Sequence, residues 1–558
     1  MGNAVTGGEL VVRTLAKAGV RQVFGLHGAH LETLFQACRD HGIHVLDTRH
    51  EVAAGHAAEG YARANRSLGV ALVTAGPGFT NVITSMANAY LDRTPVLYIS
   101  GAAALRDAET NTLQAGIDQV SIARPITKWA HQVTTTQQLP RLVAHGIRIA
   151  ASGPTGPVLL DMPSDVLGAT IDEDAVAIPE AIYVDEPPAP RPQAIDRALE
   201  LLAKAHRPVI MAGVGAWQSG CAAELRSFAE SAGIPVYSDF QAHGLLPSSH
   251  PLYGGTFHKM ADLTDPERPD VVLALGVRFG LFTLGSSDRL VPTRAALIHV
   301  EIDPKEIGRL RPVALGIVAN SREVLRALSS QSASRRWPDT SAWCKHIQTL
   351  KSDRLTKQRE ETARTSPPIH PYKLVASIVE GIDAETIVVA DGAETYHWLN
   401  EVIRQNNPGS YITHGFLGAV GFGMGLALGA QAAHPKRRVL CLVGDGAFGF
   451  TMAELDTMTR HGLPIVVVIM NNRSWAASQH FQEIVSGPAR VTGTRLSDAR
   501  YHDVAKAFGC YSQHVTRQED IAPALEAAFA SGKPACLNVD VDLAPLPPEL
   551  HLLMARHS

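Results

Sequence analysis

Cysteine is scarce in this chain, with six in 558 residues, at positions 38, 221, 344, 441, 510 and 536. No two form a CxxC pair. This excludes a disulfide framework and a structural zinc site, and it suits a reducing compartment. Cys441 lies inside an apolar run, where a cysteine acts as a small hydrophobe. Charge of one sign is also missing. Lys and Arg number 50 against 54 Asp and Glu, for a net charge of −4. With no basic run either, nucleic acid is not expected as a partner. No apolar stretch reaches the about 18 residues that span a bilayer, so no membrane partner is expected. The opening Met1-Gly2-Asn3-Ala4-Val5-Thr6 has no basic segment followed by an apolar one, so no secretory signal is read there. Met1-Gly2 with Thr6 fits only a loose acylation pattern. The expectation is a cytoplasmic protein. What is present is ordinary for a folded chain, with 45% hydrophobic and 19% charged residues. The length fits about three domains.

Apolar runs that suit buried strands alternate with helical patterns, which points to an α/β class. The expected domains are 1–183, 193–345 and 369–558. Val184 to Pro192 reads as a proline-rich linker, Ser330 to Arg336 as a loop, and Thr365-Ser366-Pro367-Pro368 as a junction. Central strands are expected at Pro208–Ala212, Val271–Leu275 and Leu297–Ile302. The first and third regions close alike, on Pro157-Val158-Leu159-Leu160-Asp161 and Pro534-Ala535-Cys536-Leu537-Asn538.

The densest signal lies in the third region. Val439-Leu440-Cys441-Leu442-Val443 leads into Gly444-Asp445-Gly446. Ile465 to Met470 leads into Asn471-Asn472. A helix expected over 451–461, with Gly462 and Pro464 to stop it, makes a right-handed crossover between two parallel strands. Asp445 and Asn472 then share one sheet edge, where open α/β folds hold ligands. A carboxylate and an amide oxygen suit a hard cation such as Mg²⁺ or Ca²⁺, which a diphosphate could help to coordinate. A second segment, Arg49-His50-Glu51-Val52-Ala53-Ala54-Gly55-His56, places Glu51 at a strand-to-helix corner among small apolar residues. There it could hold or share a proton, or merely complement a helix start. His50 and His56 are six apart, not the four that a helical zinc site needs.

Gly-Asp-Gly followed by Asn-Asn resembles the motif of thiamine-diphosphate enzymes. The resemblance implies three doubly wound parallel-sheet domains of the decarboxylase/synthase type, with thiamine diphosphate and Mg²⁺ as cofactors. It implies Asp445, Asn472 and the Ser474 carbonyl as metal ligands. Glu51 would hydrogen-bond N1′ of the aminopyrimidine. Because Glu51 and Asp445 would meet across two subunits, it also implies at least a homodimer, with a homotetramer expected.

Within that superfamily, the segments Gly25–His30, Thr74–Asn81, Asn111–Gln119, Pro125–His131, His414–Gly418 and Asn471–Phe481 resemble benzaldehyde lyase. The similarity covers nearly the whole chain. By resemblance His30 relays a proton and Gln114 hydrogen-bonds the substrate, so Glu51, His30 and Gln114 form the catalytic set. Gly392, Ala393, Thr395 and Tyr396 would hold the diphosphate at a helix start. Gly418 would contact the aminopyrimidine and Val420 would wedge between the cofactor's rings. Gly446, Ala447 and Trp475 complete the cofactor site. The substrate pocket would comprise Ala29, His30, Gln114, Ser164, Tyr396, His397, Ala477 and Phe481.

Departures fall at Ser164, Val420, Glu394, His397, Ala476 and Ala477. The implied activity is carbon–carbon lysis and carboligation between 2-hydroxy ketones of the benzoin type and aldehydes. Alternatives are a 2-hydroxyacyl-CoA lyase, an oxalyl-CoA decarboxylase or an acetolactate synthase. The tail His551–Ser558 offers little basic grip for CoA, and no carboxylate-binding arginine stands out. Gly213-Val214-Gly215 lacks the third glycine of a dinucleotide fingerprint.

Overall fold

The computed structural model describes residues 4–184, 186–332, 335–363 and 368–550. Met1 to Asn3, Asp185 of the expected linker, 333–334 of the expected loop, 365–367 of the expected junction and the tail from His551 lie outside the described residues. Three six-stranded parallel sheets carry the fold. The first contains β1 (Gln22–Gly25), β2 (His44–Asp47), β3 (Gly69–Val73), β4 (Val96–Ala102), β5 (Trp129–Gln132) and β6 (Val158–Pro163), in spatial order 2-1-3-4-6-5. The central sheet contains β7 (Pro208–Ala212), β8 (Val236–Ser238), β9 (Tyr253–Thr256), β10 (Val271–Leu275), β11 (Ala296–Glu301) and β12 (Leu315–Val318). Its order, β9-β8-β7-β10-β11-β12, is that of the dinucleotide-binding fold. The third contains β13 (Ile387–Asp391), β14 (Tyr411–Thr413), β15 (Val439–Gly444), β16 (Val466–Asn471), β17 (Tyr511–Val515) and β18 (Ala535–Asp540). It repeats the winding of the first sheet strand for strand. The two similar closing segments, β6 and β18, occupy the same place in their sheets. Inner strands such as β15 and β16 are buried on both faces, as their unbroken Val, Leu and Ile runs require.

Three local expectations need correction. The helix expected over 451–461 is two short ones, Asp445–Thr451 and Glu454–Arg460. The first starts at Asp445 itself, so the acidic residue sits in the opening turn, where the helix dipole favours it. Thr451 ends that helix, and its hydroxyl donates to the Gly421 carbonyl at 3.0 Å. In the expected loop 330–336, residues 330–332 belong to the helix Ser321–Ser332. The helix Ser341–Ala363 runs on past residue 345. An unforeseen antiparallel ribbon pairs Ala4–Thr6 with Thr170–Asp172.

The first and third regions meet along two helices, Glu51–Asn65 and Gly423–Ala433, built mostly of alanine and glycine. A Cβ on Gly60 would lie 2.3 Å from the Leu426 carbonyl oxygen, and one on Gly429 would lie 2.0 Å from that of Ala57. Backbone therefore packs on backbone. Glu454, fully buried, reaches across this seam, and both its carboxylate oxygens accept from the Arg49 N–H at 3.2 Å. The central region is tied on by Arg93, which donates to Glu301 and Asp303 at 2.9 Å each.

Candidate active site

Three neighbouring strands of the third sheet end together. Asp391 pairs in register with Val443, and Gly444 with Met470. Asp391-Gly392, Gly444-Asp445 and Asn471-Asn472 are thereby gathered on one edge. Gly392 takes φ +102°, which favours glycine, and turns the chain into the helix Ala393–Val402. The Thr395 hydroxyl would lie 3.1 and 3.2 Å from a Cβ on Gly392 or Gly444, so it sits between the two turns. Asn471 Oδ1 accepts from Arg473 N at 3.2 Å and Asn472 Oδ1 from Ser474 N at 3.1 Å. These side-chain turns, with Arg473 at φ +58°, fold the chain back towards Asp445. Asn471 itself is tied to Asn538, its Nδ2 donating at 3.1 Å.

Asp445 is the decisive group. It is 2% exposed, and its Oδ2 has no hydrogen-bond partner among the described residues. Burial pushes its carboxyl up to about 6, against the pull of backbone N–H groups at Gly446 and Arg473. A buried carboxylate oxygen without a partner costs free energy unless something compensates it. A hard cation held by Asp445, Asn472 and the Ser474 carbonyl would do so, and the all-oxygen donor set suits Mg²⁺. Trp475 covers Gly446, where a Cβ would lie 2.7 Å from the indole ring. Ala447 is buried beneath. Gly418 takes φ +66° and faces open space, and Val420 is half-buried beside it.

Asp391 was missed by sequence reasoning. It is fully buried, and burial pushes its carboxyl up to about 7. Its oxygens accept from Gly423 N at 2.7 Å and Gly421 N at 3.3 Å. It thereby aims the glycine-rich segment that comes after Gly418 and Val420.

The matching edge of the first sheet gathers a second set. Glu51 opens its helix, is 8% exposed, and accepts from Asn81 Nδ2 at 3.0 Å. A Cβ on Gly78 would lie 3.5 Å from Glu51 Oε1, so the glycine leaves that oxygen approachable. His30 Nδ1 lies 3.1 Å from Thr74 Oγ1, and burial lowers its pKa, favouring the neutral ring. Gln114, at φ +63°, packs on Gly76, where a Cβ would be 3.1 Å from its own. Gln119, also unforeseen as functional, pins this turn. Its Oε1 accepts from Gly76 N at 2.8 Å and its Nε2 donates to Asp161 at 2.6 Å. Glu51, His30 and Gln114 thus all lie against the turn over residues 74–78. Ala29 lies exposed beside His30, and Ser164 is half-buried at the end of β6.

The remaining pocket residues divide. Tyr396 is buried, with its ring edge-on to His414 at 4.3 Å. His397 is turned into a different cluster, where its Nδ1 lies 3.1 Å from Glu549. Ala477 and Phe481 lie on the helix Ala476–Ser486, with Phe481 45% exposed. The departure at Glu394 has a partner, since its Oε1 lies 2.6 Å from His480 Nδ1. That bond raises the imidazole's pKa, while burial raises the carboxyl's.

Comparison with known proteins agrees with this geometry. Residues 5–122 match the N-terminal TPP binding domain of thiamine pyrophosphate enzymes, 195–328 the central domain and 391–539 the C-terminal TPP binding domain. A probable acetolactate synthase of Mycobacterium bovis is 33% identical over 536 residues, covering 96% of this chain and 95% of that protein. A probable acetolactate synthase large subunit of Methanocaldococcus jannaschii is 32% identical, covering 96% and 92%. Acetolactate synthase isozyme 2 large subunit of Escherichia coli is 30% identical, covering 96% of each chain. These relatives carry the name acetolactate synthase, not that of benzaldehyde lyase, which the motifs resemble.

Proposed function

The chain belongs to the thiamine pyrophosphate enzymes, and on that premise we propose that it is a carboligase, making or cleaving the bond between an acyl carbon and a second carbonyl carbon. Thiamine diphosphate is its cofactor, and Mg²⁺ is the family's usual partner metal. The observation that carries the reading is the pair of carboxylates at matching sheet edges, Glu51 with its approachable oxygen and Asp445 with its unpartnered one. When bound, the cofactor supplies a nucleophilic carbon and an electron sink. Asp445, Asn472 and Ser474 hold the metal, while Gly392 to Tyr396 cradle the diphosphate. Glu51, kept in place by Asn81, holds the proton at the aminopyrimidine. His30, favoured as a neutral ring, passes a proton to or from the substrate oxygen, and Gln114 positions that oxygen.

Two observations favour different donors. The relatives' names support an acetolactate-synthase-like reaction, in which a 2-oxo acid loses CO₂ and its acyl unit joins a second 2-oxo acid. The pocket residues Ala29, His30, Gln114, Ser164, Tyr396, Ala477 and Phe481 include no lysine or arginine, which suits neutral aldehydes and 2-hydroxy ketones. A product screen with added thiamine diphosphate and Mg²⁺ decides between them. Acetolactate and CO₂ from pyruvate support the first reading, and aldehyde released from benzoin supports the second. Turnover of neither, with the cofactor demonstrably bound, sinks the carboligase proposal.

The working unit is read as at least a homodimer. Leu113 is 81% exposed next to Gln114, and Phe450 is 64% exposed on the helix that Asp445 opens. Ile484 and Val485 are exposed as well, and apolar side chains of this kind are what a second copy would cover. Sedimentation of the purified chain as a monomer at micromolar concentration would contradict this.

A further inference from the structure

A separate cavity of about 300 Å³ lies between the central and third regions, against the C-terminal half of the helix Ala393–Val402. Its lining holds four cationic side chains, Lys259, Lys351, Arg354 and Arg404, against one carboxylate, Glu401. That carboxylate is committed. Both oxygens lie 2.7 Å from Lys259 Nζ, and Gln358 Nε2 adds a bond at 2.8 Å. Arg354 Nε lies 2.9 Å from Asp262 Oδ2 without a directed hydrogen bond. Half-buried Lys351 pairs with no carboxylate among the described residues. Its Nζ donates to the carbonyls of Ser248 and Tyr253 at 2.9 and 3.1 Å. Arg404 is exposed and has no ion-pair partner among the described residues. His243, 3% exposed, leaves Nε2 unpartnered. Burial, with Arg354 and Arg404 nearby, pushes the Lys351 ammonium down to about 8. The cavity therefore holds uncompensated positive charge, with neutral donors at Asn400 and Asn406.

We propose that this cavity binds a small organic polyanion, one presenting a phosphate or paired carboxylates, and that its occupancy is coupled to the cofactor turn through the Ala393–Val402 helix. Charge-assisted hydrogen bonds to such a group would supply the negative charge that the lining lacks. The volume is at the small end for ligand sites, so the ligand is compact. The coupling arises from one rigid element, because the helix that lends Asn400 and Glu401 to the cavity begins at the Gly392 turn. This second clause rests on the cofactor reading, whereas anion binding itself does not.

The test is calorimetric titration of the full chain with citrate and with inorganic phosphate, at ionic strength matched with chloride. Saturable binding of at least one is expected. It should weaken about tenfold in Lys351→Met and about threefold in Arg404→Gln. Arg404 is exposed, so that variant folds even if the first does not. Saturating anion should change the apparent affinity for thiamine diphosphate with Mg²⁺ about fivefold. Absence of saturable binding by both anions, or binding undiminished in Arg404→Gln and in a folded Lys351→Met, overturns the site. Anion binding that leaves cofactor affinity unchanged overturns the coupling.

Discussion

The first and third regions wind their strands identically, and each ends a strand near a carboxylate that opens a helix, yet the two carboxylates are left in different states. Glu51 has a partner within its own region, Asn81. Asp445 keeps one oxygen with none. On the proposed function, the first would manage a proton and the second would hold a cation. A shared fold thus carries different chemistry through a few side chains at its strand ends. The central region, with its different strand order and Gly213-Val214-Gly215 at the end of β7, supplies neither group.

Glu51→Gln probes the proton-managing side and should have the largest effect. The amide fills the same space but cannot deliver the proton, so turnover should fall about 10²- to 10⁴-fold. Thermal stabilisation by thiamine diphosphate and Mg²⁺ should persist. Full activity in the cofactor-loaded variant would erase the distinction between the two carboxylates.

Asp445→Asn probes the cation side and should act with opposite signs in the two states. With cofactor, affinity should fall at least about 10- to 100-fold in titrations with Mg²⁺. Without it, the variant should be more stable. The Asp445 pKa is raised from 3.8 to about 6 in the folded chain, so this group's contribution is present below pH 3.8 and lost as pH rises through 6. At pH 8 the buried carboxylate costs up to about 3 kcal/mol, which the amide avoids. Urea unfolding of both cofactor-free proteins at pH 8 measures this, and an unchanged or lower midpoint in the variant would contradict it.

The smallest effect sets the central region apart. His243 is pushed down to about 4 by burial. A depressed histidine pKa means stability that is present above 6.5 and lost as pH falls towards 4. At pH 5 this group should cost about 2 kcal/mol relative to pH 7. His243→Gln should flatten that part of the pH dependence of unfolding. An unaltered slope would remove His243 from the account.

Much of the candidate site was legible because it sits at strand ends. Short aliphatic runs such as Val439–Val443 announce buried strands, and the residues just beyond each run must lie at the sheet edge. Glu51, Asp445 and Asn472 were placed in this way, and the structure sets each just beyond the end of a strand, whereas His30, Gln114 and the Ser474 carbonyl came from resemblance alone. Resemblance supplied the roles that spacing alone could not. What escaped depends on contacts between distant positions. Glu454 accepts from the Arg49 N–H 405 positions away, and Glu394 finds His480 86 positions on. Periodicity reports which face of an element is apolar and says nothing about which distant polar group will meet it. The helix start at Asp445 was missed because Gly-Asp-Gly-Ala-Phe-Gly reads locally as a turn.

The glycine-lined seam between Glu51–Asn65 and Gly423–Ala433 has a mechanical consequence. Where main chain touches main chain, no rotamer can swing aside to relieve a sliding motion, so that seam cannot serve as a hinge. Relative movement of the first and third regions must therefore find its give somewhere other than along these two helices.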